Sequence, residues 1–386
     1  MRVAIVHYWL VNFRGGEKVV EALCEMFPQA DLFTHVYSPE RMPERINQHR
    51  VKTSFIARLP FAQRWYQKYL LLMPVALEQF DLREYDLVIS SESGPAKGVL
   101  TRPDTLHLCY CHTPMRYVWS MYLDYLKNAG WAKRLVLPWV MHRLRQWDQL
   151  SANRVDFFVA NSHNISRQIK KYYGRPSVVV HPPVDVDRFA PADRPNGVAG
   201  DRPYYLCVGQ LVRYKRFDLA IEAFNEMAIR LFIIGEGEEE RALRRLAGPT
   251  VTFLGYQNAE SLRKYYAQCE AVVFPGEEDF GIVPIEAMAS GRPVIAYGRG
   301  GALETVIPGE TGILFDTQTP AALIEAVKCY EKVPRQFVVS RLVEHSRRFS
   351  KENFMHQFCT ALCEAVQHTG IDLPVGQSPP QRRKAS

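Results

Sequence analysis

Glu278 and Glu286 stand eight positions apart in "GEEDFGIVPIEAMASG", residues 276–291, around the short run Phe280 to Pro284. Paired carboxylates can serve as general acid and base, or as the acid and nucleophile of glycoside hydrolysis. They can equally hold the hydroxyls of a ligand. "AVVFP" reads as a strand ending at Pro275, and Pro284 suits the first turn of a helix that stops at Gly291. Glu278 then lies on the loop after a strand and Glu286 in the first turn of the next helix. The backbone N–H groups of Phe280, Gly281, Ile282 and Val283 between them form a site for an anion or a polar oxygen. The plain alternative is that Glu286 only favours the helix dipole and Glu278 is an ordinary loop carboxylate.

Cations come next. In "VGQLVRYKRFDLAI", residues 208–221, Arg213, Lys215 and Arg216 crowd the end of a strand just before a helix. A departing diphosphate needs such charges; a basic loop in solvent is the alternative. "NFRGGEKVVEAL" puts Gly15 and Gly16 between the first strand and the first helix, where backbone N–H groups can approach a bulky or charged ligand. The third glycine of a dinucleotide fingerprint is missing. "YCHTPMRYVW" sets His112 just past a strand end, although a lone histidine is often structural. "GEG" at 235–237 ends another strand, and Gly235 would let a ligand near the backbone.

These residues must be positioned by something. Continuous apolar runs recur, each followed by a polar turn and a helix-like segment. The first half has "VAIVHYWL", "YDLVISS", "TLHLCYCH", "VDFFVANS" and "SVVVHPP"; the second has "YYLCVG", "RLFIIGEG", "VTFLG", "AVVFPG", "PVIAYG" and "GILFD". Apolarity without alternation marks strands buried on both faces, as in parallel sheets. The order is β-α-β-α, an α/β fold. The break is "HPPVDVDRFAPADRPNGVAGDRP", which has no periodicity. Two doubly wound, Rossmann-like domains follow, residues 1–184 and 200–349, facing a central cleft with ligands at the C-terminal ends of the strands. Residues 350–368 predict a last helix capped by Ser350 and packing back on the first domain, and 369–386 a disordered tail.

Composition agrees with a large globular chain: 386 residues, 47% apolar and 23% charged. The eight cysteines sit mostly in apolar runs, which suits buried thiols in a reducing cytoplasm. "CYCH" at 109–112 could suggest zinc, but the pleat should part alternate residues and no second ligand pair has the spacing. The N-terminus lacks the cleavage site of a signal peptide, and no run approaches a membrane span. A cytoplasmic protein is expected. The net charge of +7 is concentrated: Arg45–Leu77 holds six Lys or Arg and Tyr125–Trp147 holds five, neither with an acidic residue. Trp65, Trp131, Trp139 and Trp147 lie within them. Such segments suit an anionic membrane surface, at the inner face of the plasma membrane; solvated helices with snorkelling side chains, or a single-stranded nucleic acid, are the other readings. No nucleic-acid-binding motif accompanies the charge, so no nucleic acid partner is expected.

Taken together, these residues resemble the retaining GT-B glycosyltransferases of glycosyltransferase family 4. "EEDFGIVPIEAMASGRPVIA" is similar to that family's E-x7-E signature, and "GGALETVIPGETGILF" to the stretch that follows it. "RGGEKVV" resembles its Gly-Gly loop and "GQLVRYKRFD" its phosphate-binding loop. "CHTPMRYVW" with "RYKRFDLAIEAF" most resembles the mannosyltransferases that build bacterial O-antigen and exopolysaccharide from GDP-mannose.

The resemblance implies an α-mannosyltransferase taking a nucleotide-sugar donor and a lipid-linked saccharide acceptor. Glu286 would hold the donor ribose, and Glu278 with the N–H groups of Phe280, Gly281 and Ile282 the transferred sugar. Lys215 would neutralise the departing diphosphate, and His112 would contact the sugar near the reacting carbon. Gly15 and Gly16 would approach the phosphates or the acceptor. Gln210 stands where the family usually carries a phosphate-binding arginine, and Arg213 could reach the same oxygens from its own position. No metal or other cofactor is expected, because cations neutralise the phosphates and no Asp-x-Asp motif is present. Closure of the two domains would exclude water from the reaction. A UDP-sugar transferase, a nucleotide-sugar-binding partner that has lost catalysis, and a glycoside hydrolase are the rival readings; the phosphate-directed cations speak against the last.

Overall fold

The structure, a computed structural model, describes residues 1–191 and 203–374. Most of the predicted linker, 192–202, and the predicted tail from residue 375 lie outside the described residues. The chain divides into two compact units: Met1–Pro182 with Phe354–Ser386, and Pro183–Asn353.

The first unit is built on seven strands: β1 (Val3–His7), β2 (Asp31–Thr34), β3 (Val51–Thr53), β4 (Leu87–Glu92), β5 (Leu106–Cys111), β6 (Phe157–Ala160) and β7 (Val178–Val179). They pair in parallel in the order β3-β2-β1-β4-β5-β6-β7. Every residue of β1, β4 and β5 is buried, which is why Val3–Val6 and Leu87–Ile89 read as apolar runs without alternation, although His7, Ser90, Ser91, Glu92 and His107 are polar. β2 and β3 left no such run. β3 has three residues, none of them buried, and pairs on one side only.

The second unit has six parallel strands: β8 (Tyr205–Val208), β9 (Leu231–Ile234), β10 (Val251–Gly255), β11 (Val272–Phe274), β12 (Val294–Tyr297) and β13 (Gly312–Phe315). Their order is β10-β9-β8-β11-β12-β13. All six coincide with apolar runs of the sequence. Helices Phe217–Met227, Ile282–Ala289 and Pro320–Lys332 bury Phe224, Met288 and Val327 in the core of this sheet.

The last helix, Lys351–Thr369, is capped by Ser350, whose Oγ accepts the Asn353 N–H at 3.2 Å. Phe354, Phe358, Ala361 and Ala365, on one face at helical spacing, join the cluster of Ile5, Leu108 and Tyr110 beside the first sheet. Truncating the fully buried Phe358 to alanine is expected to cost about 3–5 kcal/mol.

Cys109 and Cys111 are not parted by the pleat, as the sequence suggested. Residues two apart share a face, and both thiols pack with Ala152, Phe158 and Ile165 while Tyr110 faces the other side. Among the described residues no group of three or more His, Cys, Asp or Glu could hold a metal ion, and no helix is long and apolar enough to cross a membrane. Of the eight cysteines, Cys329 and Cys363 are exposed and Cys359 is half-buried.

The helix Trp131–Ala152 runs through Pro138. Trp131, Leu135 and Trp139, four residues apart and therefore on one face, are 82%, 69% and 74% exposed. Leu71, Leu72 and Val75 of the other basic segment are exposed as well, and Leu70 beside them packs in the same cluster as Leu137 and Val140. Two arginines of this region are occupied. Arg134 donates to the carbonyls of Leu126 and Lys127, at 3.1 and 2.7 Å. Arg145 donates to the Val118 carbonyl and lies over the rings of Trp119 and Tyr122.

Candidate functional site

In a parallel sheet all strands end on one edge, and neighbouring crossovers that leave in opposite directions open a crevice there. In the second unit that switch falls between β8 and β11. The loop after β8 carries Arg213 and Lys215 in a short 3-10 turn, and the loop after β11 carries Glu278. The two loops meet. Lys215 Nζ lies 2.7 Å from Glu278 Oε1, both side chains largely enclosed.

The room for Lys215 comes from glycine. A side chain at Gly209 would meet its Nζ at 2.8 Å. Gly235, φ 136°, has a similar origin: a Cβ there would stand 1.9 Å from the Gly209 carbonyl oxygen. Gly235 is thus required by the closeness of two strand ends, whatever it does for a ligand. Arg216 departs from the expected cluster of cations. Its guanidinium turns to Asp218, at 3.1 Å, and to Gln318, which ties it to the start of its own helix.

The helix after Glu278 begins at Ile282, two residues before the predicted start at Pro284, with Gly281 (φ 87°) as its N-cap. The N–H groups of Ile282 and Val283 are in its first turn and have no acceptor within the helix. Phe280, just before, is buried in the core. Glu286 accordingly falls in the second turn, not the first, and the helix dipole gives it less. Its side chain is buried and accepts a hydrogen bond from the Tyr266 hydroxyl at 2.9 Å. Burial, and then Glu286, raise the Tyr266 phenol well above its ordinary range, so it remains a donor. Tyr266 thus fixes one oxygen of the Glu286 side chain. Tyr266 lies on the helix Ala259–Gln268, and nothing in the sequence marks it as Glu286's partner.

The remaining candidates belong to the first unit, where the switch falls between β1 and β4. Gly15 and Gly16 are not in a loop but are the first two residues of the helix Gly15–Met26. His112 follows β5 directly, its N–H donating to the Glu92 carbonyl at 2.7 Å. Its Nε2 is 2.8 Å from the Ser91 hydroxyl, and a Cβ on Gly16 would stand 3.7 Å from that nitrogen. Burial, and then His7, push the imidazole down to about 3. Gly16 and His112 therefore share one place, with His7, Tyr8 and Ser91 around them. The rule that placed His112 at a strand end would have found Ser91 in "VISSE" and His7 in "VAIVH".

Comparisons with known proteins agree with this architecture. The model of Glycosyltransferase Family 4 matches residues 13–188 and that of Glycosyl transferases group 1 matches 189–353. A D-inositol 3-phosphate glycosyltransferase of Geodermatophilus obscurus is 30% identical over 240 residues, 55% of this chain and 53% of its own. A GDP-mannose-dependent alpha-(1-6)-phosphatidylinositol monomannoside mannosyltransferase of Mycolicibacterium smegmatis is 31% identical over 52% of this chain and 57% of its own. The chain thus spans about half the length of the curated relatives it matches. Among solved structures, a sucrose-phosphate synthase from Thermosynechococcus elongatus superposes with a TM-score of 0.71 at 19% identity, over 95% of this chain and 99% of its own. Anabaena HepE in complex with UDP-glucose gives 0.70 at 16% identity, over 94% and 99%. With the two family models taking in residues 13–353 between them, the chain belongs to the family 4 glycosyltransferases of the GT-B fold.

Proposed function

We propose that this chain is a retaining hexosyltransferase that moves mannose from GDP-mannose to a lipid-linked saccharide in the synthesis of a bacterial surface polysaccharide. The observation that carries the reading is the Lys215–Glu278 pair at the switch point of the second sheet, with the buried Glu286 on the helix that follows the same loop. As the bond to phosphate breaks, negative charge grows on the diphosphate and positive charge on the sugar. Lys215 faces the first and Glu278 the second. Arg213 stands two residues from Lys215 as a second cation. Glu286 receives the ribose hydroxyls, and the N–H groups of Ile282 and Val283 add donors toward anionic or polar oxygen. Retention needs no side-chain nucleophile if the acceptor hydroxyl attacks from the face the phosphate leaves and gives its proton to that phosphate.

The donor assignment is supported by the names of relatives, two of which are GDP-mannose-dependent mannosyltransferases, 31% and 35% identical over their matched parts. The acceptor side is supported by the exposed face of Trp131, Leu135 and Trp139. An apolar stripe among basic residues suits attachment to an anionic bilayer at the inner face of the plasma membrane, where a lipid-linked acceptor is within reach.

The test is a panel of nucleotide sugars with a lipid-linked acceptor mimic, followed by release of nucleoside diphosphate. GDP-mannose should be consumed fastest. A rate with UDP-glucose equal to or above it would replace the donor, and GDP binding without turnover on any acceptor would favour a nucleotide-sugar-binding partner. Sugar release from a simple glycoside without nucleotide would overturn transfer altogether.

A further inference from the structure

The first unit contains a chain of buried groups that the proposed reaction does not yet use. The Ser91 hydroxyl, fully buried, sits between two imidazoles: 3.0 Å from His7 Nδ1 and 2.8 Å from His112 Nε2. His7 is itself buried. Its other nitrogen, Nε2, makes no hydrogen bond among the described residues and faces Glu17 Oε1 at 3.7 Å. Glu17, also buried, uses its second oxygen to accept the Arg14 N–H at 2.9 Å at the start of the helix Gly15–Met26. Gly16 closes the group, since a Cβ there would lie 3.1 Å from the Tyr8 hydroxyl and 3.6 Å from His7 Cε1.

Proton counting couples these residues. A neutral imidazole carries its proton on one nitrogen, and a hydroxyl has one proton to give. The carboxylate beside His7 Nε2 favours the proton there, because a bare lone pair facing a buried anion is repelled. His7 Nδ1 is then an acceptor and takes the Ser91 proton. Ser91 Oγ in turn accepts from His112 Nε2–H, and the lone pair of His112 is left on Nδ1.

We propose that Glu17, acting through His7 and Ser91, fixes the tautomer of His112, with the proton on Nε2 and Nδ1 bare. Glu17, His7 and Ser91 are positioning residues for His112. The consequence for the reaction rests on the transferase reading and on the sugar contact that the family resemblance implies for His112: it would meet a sugar hydroxyl as an acceptor and not as a donor.

The experiment is histidine ring nitrogen NMR at neutral pH on the full-length, donor-free protein, with His112 assigned by loss of its signals in His112→Ala. In the wild type His112 Nε2 should show the protonated, pyrrole-like shift and Nδ1 the bare, pyridine-like one. Glu17→Gln keeps a carbonyl oxygen for the Arg14 N–H, which a glutamine at this helix position can also serve. It replaces the oxygen near His7 Nε2 by an N–H donor. The proton order should reverse along the chain, so that the two His112 shifts exchange; adding Ser91→Ala should abolish that exchange. A wild-type His112 with its proton on Nδ1 overturns the proposal without any variant. So does a Glu17→Gln protein whose His112 shifts stay as they were. These readouts need no substrate, so their failure is distinct from failure of the mannosyltransferase reading, which donor turnover decides.

Discussion

The Lys215 ammonium lies 2.7 Å from the Glu278 carboxylate, across the point where the second sheet reverses its strand order. The cation proposed for the diphosphate and the carboxylate proposed for the sugar are thus paired with each other. Each limits the other's freedom. Because the cation meets a charge that grows only as the bond breaks, Lys215→Ala should lower kcat by about 10²–10³-fold. Donor affinity should fall far less. Steady-state release of GDP over a range of GDP-mannose concentrations separates kcat from KM and checks the split; a loss of kcat below threefold would remove Lys215 from the mechanism.

Tyr266→Phe deletes one hydroxyl and leaves the ring in place. A hydrogen bond to a charged group contributes about 1.5–3 kcal/mol, so a buried Glu286 without it should hold the ribose less well. A rise of about 10-fold in the dissociation constant for GDP is expected, with kcat nearly unchanged. Calorimetry of the variant would show it. Unchanged affinity would mean that Tyr266 serves the core alone.

Acid should destabilise the fold through buried histidines, among them His35 and His107. Burial holds His35 down at about 3 and His107 down at about 4. The unfolded chain takes up protons at these residues near pH 6.5, and the folded chain does not until pH 3–4. The stability they contribute is complete above pH 6.5 and is lost as the pH falls through that window. Each adds a slope of about 1.4 kcal/mol per pH unit. Urea unfolding at pH 7, 6 and 5 measures it, and His107→Gln should make the dependence shallower.

Attachment to membranes is tested on the apolar face and not on the arginines. Reversing the charge of Arg134 or Arg145 would disturb the carbonyls they bind and so confuse attachment with folding. Replacing Trp131, Leu135 and Trp139 together by glutamine should leave the fold intact, because all three are exposed. The protein should then no longer sediment with vesicles containing phosphatidylglycerol. Sedimentation equal to wild type would remove the membrane surface from the account.

The strands of the second unit were legible because consecutive residues such as Ile233 with Ile234 and Val272 with Val273, which point to opposite sheet faces, are all buried and leave no polar alternation. β3 was not, since a three-residue edge strand such as "VKT" meets no such demand, and β2, though paired on both sides, has only three buried residues, one of them Thr34. The E-x7-E spacing was legible as chemistry, but its helix starts two residues early, because Gly281 takes a positive φ and caps it. Pairings across the chain stayed hidden. Tyr266 with Glu286, Ser91 with His112 and Arg216 with Asp218 are set by how elements pack, and only the last is close enough in sequence to suspect.

In the proposed reaction the two glutamates hold the donor and are not an acid and base. Steady-state kinetics of Glu286→Ala with GDP-mannose tests it most directly. A donor holder predicts a KM raised at least about 10-fold with kcat changed only a few-fold, since binding lost equally from ground and transition states appears in KM. A general acid or base predicts the reverse, a collapse of kcat with KM nearly unchanged, and that result would contradict the account.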